Sequence, residues 1–141
     1  MLVVGIDPDS EKHGFALYKN GELVECGRKT SIEIVEFAKA NTAAVFAIED
    51  VLANTFVYGR NTRSNKAIQS RIAMSVGRCQ QAQYELMQWL EHYDIEYRLF
   101  KPQRGNWAKN KTQFERVTGW SGRSNEDGRS AAFFGYLLVR K

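Results

Sequence analysis

Leu2-Val3-Val4-Gly5-Ile6-Asp7-Pro8-Asp9-Ser10 opens the chain, and its pattern constrains everything downstream. Apolar β-formers run into a single carboxylate. The proline that follows at once lacks a ladder donor and turns the chain away. This is the pattern of a buried strand that carries Asp7 to a sheet edge. An acid placed there costs free energy unless it is paired, and a metal ion is one partner that would pair it.

A second stretch of the same kind lies further on. Ala43 to Ile48 is a short, continuous apolar run ending in Glu49-Asp50. It reads as a strand buried on both faces, central and parallel to the first. Between the two, Gly14 to Lys19 alternates, Asn20-Gly21 supplies a hairpin turn, and Glu22 to Gly27 returns, so the first three strands form a meander. Thr30-Ser31-Ile32-Glu33 has capping-box spacing and opens a short helix with Ile34, Val35 and Ala38 on its apolar face. Leu52 to Asn65 shows no apolar period and predicts a loop of unusual length, of the kind that is commonly functional or mobile. A helix is predicted from Lys66 to His92, with Ile72, Val76, Cys79, Gln83, Leu86 and Leu90 as its core stripe. Met74, Tyr84, Met87 and Trp89 widen that surface toward a second packed face, such as a dimer contact. Glu96 to Phe100 predicts another strand, closed by Pro102. Thr112-Gln113-Phe114-Glu115 predicts a second capped helix ending near Gly119, and a last helix starts around Ser124-Asn125 and buries Ala131, Phe133, Phe134, Leu137 and Leu138. The order implies an α/β fold, a mixed five-stranded sheet with helices on both faces, in one domain over residues 1–141 without repeats or linkers.

The 141 residues are 43% hydrophobic and 26% charged, enough for a real core. No apolar run approaches a bilayer span and no signal-like segment opens the chain, so a cytoplasmic protein is expected, without membrane partners. Cys26 and Cys79 are too scattered for a zinc knot or disulfide framework and read as buried free thiols. His13 and His92 are equally isolated. The net charge is +4, and its distribution says more than its size. Arg60, Arg63, Lys66, Arg71 and Arg78 occupy one stretch free of acids, and Arg98, Lys101, Arg104, Lys109 and Lys111 another. Asp7, Asp9, Glu49, Asp50, Glu126 and Asp127 lie elsewhere, as in a protein that grips phosphates on one surface and holds cations in an acidic pocket.

Parallel strands ending together would bring Asp7 beside Glu49, and a helix crossing that edge could add Asp127. Oxygen donors without His or Cys suit Mg²⁺ or Mn²⁺, and a pair of such ions about 3.5–4 Å apart is a known arrangement for phosphodiester hydrolysis. The plainer readings are a turn or cap residue for Asp9 and Asp50, and a helix-dipole partner for Asp127.

Gly5-Ile6-Asp7-Pro8-x-Ser10 with Gly14, followed by Ala47-Ile48-Glu49, resembles the RuvC-type Holliday junction resolvases of the RNase H-like superfamily. Gly77 within the long helix, Lys111-Thr112-Gln113-Phe114, and Asn125-Glu126-Asp127-Gly128-Arg129-Ser130-Ala131 extend the resemblance over essentially the whole chain. It implies a homodimeric endonuclease, dependent on Mg²⁺ with Mn²⁺ as substitute, that places paired nicks in four-way DNA junctions. It also implies two ions per site, Asp7, Glu49 and Asp127 as ligands, and Lys111 at the DNA or reacting phosphate. Lys101, Arg104 and Lys109 would be backbone contacts, as would the basic residues of the 60–78 stretch, and the dimer would form along helix 66–92. The chain is shorter than typical bacterial members, which points to a phage or mobile-element version acting in a host cytoplasm.

Two positions depart from the pattern. Asp9 stands where a Gly is usual, and Ser130 stands where the last helix usually carries its second acid. Four readings follow: three acids suffice; a shifted register makes Asp127 the second acid and Ser124 the missing first; Glu126 turns inward as a ligand; or activity is weakened, leaving a junction-binding protein. The loop aromatics Phe56 and Tyr58 either wedge against unstacked bases or pack locally, and Trp107 poses the same choice between base contact and core. An actin-like sugar kinase, which also opens on Gly-Ile-Asp, is excluded because the chain is half the size of that two-lobed fold.

Overall fold

The structure is a computed structural model that describes residues 1–53 and 66–140. Among these the chain forms β1 (Leu2–Asp7), β2 (His13–Lys19), β3 (Glu22–Lys29), α1 (Ser31–Ala40), β4 (Val45–Glu49), α2 (Lys66–His92), β5 (Tyr97–Phe100), α3 (Lys111–Thr118) and α4 (Glu126–Val139). Short 3₁₀ turns lie at Val51–Ala53 and Trp107–Lys109. The strands make one sheet in the order β3-β2-β1-β4-β5. β1 and β3 flank β2 antiparallel, whereas β4 runs parallel to both β1 and β5. The expected mixed sheet with helices on both faces is therefore present. Asn20 and Gly21, both with positive φ (51° and 83°), make the β2–β3 turn.

Strand parity sorts the residues into two layers. Val4 and Ile6 of β1, Phe15 of β2, and Phe46 and Ile48 of β4 point one way, into a core with Ile34 and Ala38 of α1 and Leu86 and Leu90 of α2. Val3, Ala16, Tyr18 and Leu23 point the other way, toward Phe114 of α3 and Ala131 and Ala132 of α4. On this second face α4 lies almost on the strand backbones. A Cβ placed on Gly5 would stand 1.9 Å from the Ala131 carbonyl oxygen. The Tyr18 hydroxyl fixes the crossing by donating to the Ala132 carbonyl at 2.6 Å.

Local rules account for the helix starts. Thr30 and Glu33 make the reciprocal capping box, with Glu33 N–H to Thr30 Oγ1 at 3.2 Å and Thr30 N–H to Glu33 Oε1 at 2.9 Å. The second box is not the one expected. Asn110, not Thr112, caps α3, its Oδ1 accepting from Gln113 N–H at 3.0 Å. Asn is the stronger cap and lies two residues upstream, so the helix begins earlier. Gly119, at φ 72°, ends it.

The long helix has the expected limits but not the expected packing. Gln83, Leu86 and Leu90 are buried, whereas Ile72 is exposed and Val76 and Cys79 are only half-buried. Between residues 66 and 82 only Gln69 is buried. Hydrophobic period marks a face; it does not guarantee that the sheet is long enough to cover it, and the N-terminal half of α2 runs beyond it. Both cysteines are free but half-buried rather than buried.

Candidate active site

Three strand ends and one helix head meet on the α4 side of the sheet. Ile6 pairs with Ile48 in the parallel β1–β4 ladder, so Asp7 and Glu49 come next in the same register. On the other side of β1, Asp7 pairs with Gly14, and Gly14 in turn pairs with Arg28 of β3. One row across the sheet therefore reads Glu49, Asp7, Gly14, Arg28. Gly14 makes the gap in that row into which α4 settles: a Cβ there would stand 2.1 Å from the Asp127 carbonyl oxygen and 3.0 Å from Asp7 Cβ. Asn125 caps α4 through its Oδ1, which accepts from Gly128 N–H at 2.7 Å, and this cap aims the first helical turn at the row.

Asp7 and Glu49 share a side-chain hydrogen bond, which two carboxylates can make only when one is protonated. Burial, that bond and the charge of Glu49 push Asp7 up to about 8. Burial also raises Glu49. Two acids set side by side at a partly buried edge form a donor set that fits one hard cation. Ser130, 3% exposed, faces this pair, and its hydroxyl donates to the Asp7 carboxylate. The residue in the place of the usual acid thus points inward.

Asp127 stands apart from the pair. Asp7 feels its charge without a hydrogen bond, and its carboxylate lies 3.9 Å from the Arg28 guanidinium. Burial raises Asp127, with the Asp9 charge adding to it and Arg28 opposing. Glu126 is exposed on the same turn. Among the described residues, no three acidic, His or Cys side chains gather as a metal-holding group.

The surrounding side chains hold this edge in place. Gln83 of α2, fully buried, donates to Asp50 Oδ1 at 3.0 Å and accepts from Leu52 N–H at 3.1 Å, while Gln80 donates to the Val51 carbonyl at 3.1 Å. The turn after Glu49 is thereby tied to the long helix. Asp50 is structural, and Asp9 is a turn residue whose Oδ1 accepts from Ser10 N–H at 2.6 Å. Cys79 lies 3.7 Å from the same Asp9 oxygen. His13 is fully buried: Nδ1 accepts from Asp9 N–H at 3.2 Å, so Nε2 carries the proton and donates to Ser31 Oγ at 2.7 Å.

Arg129, 9% exposed, anchors the basic segment. Its Nε and Nη2 donate to the Ala108 carbonyl at 3.1 and 2.7 Å, and Nη1 donates to Ser124 O and Oγ at 3.1 and 2.9 Å. Buried Trp107 packs against Phe114, Phe133 and Tyr136. Its place is in the core, not against bases. Lys101, Arg104, Lys109 and Lys111, which flank it in sequence, are exposed, as are Lys66, Arg71 and Arg78 along α2. Phe56, Tyr58, Arg60 and Arg63 lie outside the described residues.

Sequence reasoning placed Gln83 in the core stripe of the long helix but gave it no part in the site, and it did not single out Arg28 or Arg129. A Gln inside an apolar stripe is a usable signal for the first. Arg28 needed the β2–β3 register.

No family model matches the sequence, and no curated protein matches it. Solved structures do. The chain is similar to Thermus thermophilus RuvC in complex with Holliday junction substrate, at TM-score 0.62 and 14% identity over 99% of this chain and 94% of that one. It is similar over the same shares to a second Thermus thermophilus RuvC structure, at TM-score 0.56 and 14% identity. The likeness is one of fold: an α/β fold of the RNase H-like class, in its RuvC-type form. A phage or mobile-element source finds no support in these comparisons. No helix among the described residues is long and apolar enough to cross a membrane.

Proposed function

We propose that the chain is a divalent-cation-dependent endonuclease that resolves four-way or related branched DNA junctions by paired phosphodiester hydrolysis. The observation that carries this reading is the placement of Asp7 and Glu49 side by side, partly buried, at the end of adjacent parallel strands and under the head of α4. Burying two like charges side by side is unfavourable unless a cation joins them, and Mg²⁺ characteristically takes one or two carboxylates and fills its remaining positions with water and phosphate oxygens. A Mg²⁺ or Mn²⁺ ion held by Asp7 and Glu49 would supply Lewis acidity to a scissile phosphate and lower the pKa of a bound water.

The chain's own groups do the rest. Ser130 orients the Asp7 carboxylate by hydrogen bonding. The Asp127 backbone sits over Gly14, and its carboxylate lies beside Arg28 as a further acid near the pair. Lys101, Arg104, Lys109 and Lys111 give phosphates a cationic track beside the helix that carries Asp127. Full-length likeness of fold to a RuvC bound to Holliday junction substrate supports branched DNA as the substrate. The far half of α2, with Ile72 at 41% and Met74 at 57% exposure, supports a homodimer along that helix, since a helix half so little packed is marginal on its own.

The test is a labelled four-way junction incubated with purified protein. Paired nicks are expected with Mg²⁺ or Mn²⁺ and none with EDTA, and Asp7→Asn is expected to bind the junction without cutting. If Asp7→Asn cuts like the parent, the reading fails. The second reading, a junction-binding protein of the same fold with weakened catalysis, is favoured by one observation: Ser130 in place of an acid. It predicts salt-sensitive binding with no cleavage in any divalent metal.

A further inference from the structure

We infer that this site works with one divalent cation, and that Arg28 supplies the second positive charge at the scissile phosphate. This rests on the nuclease reading above and specifies its charge arrangement. The row Glu49, Asp7, Gly14, Arg28 places two carboxylates on one side of the glycine gap and a guanidinium on the other. Asp127 comes down over the gap and reaches toward Arg28, at 3.9 Å, rather than into the carboxylate pair. The acid that a second ion would need is replaced by Ser130, whose hydroxyl serves Asp7. Asp7, Glu49 and Asp127 are then faced by one dication and one guanidinium, with Asp9 adding negative charge near Asp127. A second dication would find no third ligand beside the first two, which agrees with the lack of a three-ligand group among the described residues.

Arg28 is suited to the task by chemistry and by place. A guanidinium is permanently charged and offers a planar fork that matches two phosphate oxygens. The side chain is 52% exposed and also lines a polar cavity of about 250 Å³ with Asp9, Ser10, Glu11 and Lys12, so it has room to turn from Asp127 to an incoming phosphate. In the hydrolysis a water oxygen bonds to phosphorus as one bridging P–O bond breaks. The water gives up one proton and the leaving sugar oxygen takes one up, so no other reactant is needed. Negative charge gathers on the phosphoryl oxygens between these events, and a fixed cation aimed at them lowers the barrier.

Two measurements test this: Mn²⁺ bound per chain, from the EPR signal of the free ion during titration of the protein, and junction nicking in Mg²⁺ alongside junction binding. The wild type is expected to bind one Mn²⁺ per chain, and Asp7→Asn none. Arg28→Ala is expected to keep that ion and to bind the junction within about threefold of wild type, yet to nick about 100-fold more slowly. Arg28→Lys should recover part of the rate. Two Mn²⁺ per wild-type chain, or an Arg28→Ala protein that nicks at the parental rate, would overturn the inference while leaving the nuclease reading intact. Mn²⁺ binding that survives Asp7→Asn, or no nicking by the wild type, removes the nuclease reading and this inference with it.

Discussion

The two faces of the sheet use the same strands for opposite purposes. On the α1/α2 face, Val4, Ile6, Phe15, Phe46 and Ile48 are large and wholly buried, and the helices stand off at side-chain distance. On the α4 face the residues nearest the site are Gly5, Asp7, Gly14, Ala16, Ala47 and Glu49, small or acidic, with Val3, Tyr18 and Leu23 packing further along, and α4 rests on backbone at Gly5 and Gly14. Close approach is what makes the site. Short residues draw the head of α4 down onto the row, and the acids that end each strand are left beneath it, desolvated but without apolar side chains crowding them. One period of two thus separates a face filled by large apolar side chains from the face that carries the candidate site.

Substitutions at neighbouring sequence positions should therefore fail in different ways, and the largest contrast is at Asp7. Asp7→Asn is expected to lower junction cutting by at least about 1000-fold, or more than about 4 kcal/mol in barrier, while raising the cation-free Tm. The sign follows from the raised acid. Its folded pKa of about 8 lies above the ordinary 3.8, so the folded state keeps a proton that the unfolded state has shed, and stability falls as pH rises from about 4 toward 8. Asn removes that loss, so thermal melts in EDTA should show the gain growing up to pH 8. A Tm lowered at every pH would mean that Asp7 holds the fold together and is not a strained acid. Phe46→Ala, on the facing core, should do the reverse. It is expected to cost about 3–5 kcal/mol and to leave cutting at 25 °C within a few-fold, as urea unfolding and nicking assays on one preparation would show.

Much of this division was legible in the sequence, for physical reasons. Apolar runs closed by Asp7-Pro8 and by Glu49 could only be buried strand ends, and parallel pairing of their strands followed from burial on both faces. What could not be read was whatever depended on register or on distant partners. From the Asn20-Gly21 turn, an unbroken ladder would set Gly14 opposite Gly27. A bulge that leaves Val24 out of the pairing moves the ladder by one residue and brings Arg28 there instead. Nothing in Leu23-Val24-Glu25 announces that bulge. Likewise Ile72 and Leu86 look alike in a helical period, and only the extent of the sheet decides that one is exposed and the other buried.

Glycine at position 14 offers the next contrast. Gly14→Ala would force the Asp127 backbone away from a Cβ at 2.1 Å, whereas Gly27→Ala places its Cβ in open space. The first is expected to cost about 1–3 kcal/mol and to weaken Mn²⁺ binding and cutting together by about tenfold or more. The second should leave all three within about 0.5 kcal/mol of wild type. If both behave alike, close approach of α4 does not shape the site.

The smallest expected effect comes from His13, which joins the two layers by bonding the Asp9 turn on one side and Ser31 of α1 on the other. Burial lowers its pKa below the ordinary 6.5, against the pull of the Asp9 charge. The unfolded chain therefore takes up a proton near pH 6.5 that the folded chain refuses until lower pH. This contribution to stability is complete above 6.5 and is lost as pH falls toward the folded value, with a slope of at most about 1.4 kcal/mol per pH unit. His13→Gln is expected to flatten that slope in urea melts between pH 6.5 and 5, while Ser31→Ala lowers stability by about 1–3 kcal/mol at all pH values above 6.5 by stranding a buried N–H. Because the ring reaches the site only through Asp9, nicking at pH 8 should hold within a few-fold in both variants. A Ser31→Ala loss of cutting as large as that of Asp7→Asn would show that the core face, too, takes part in the reaction.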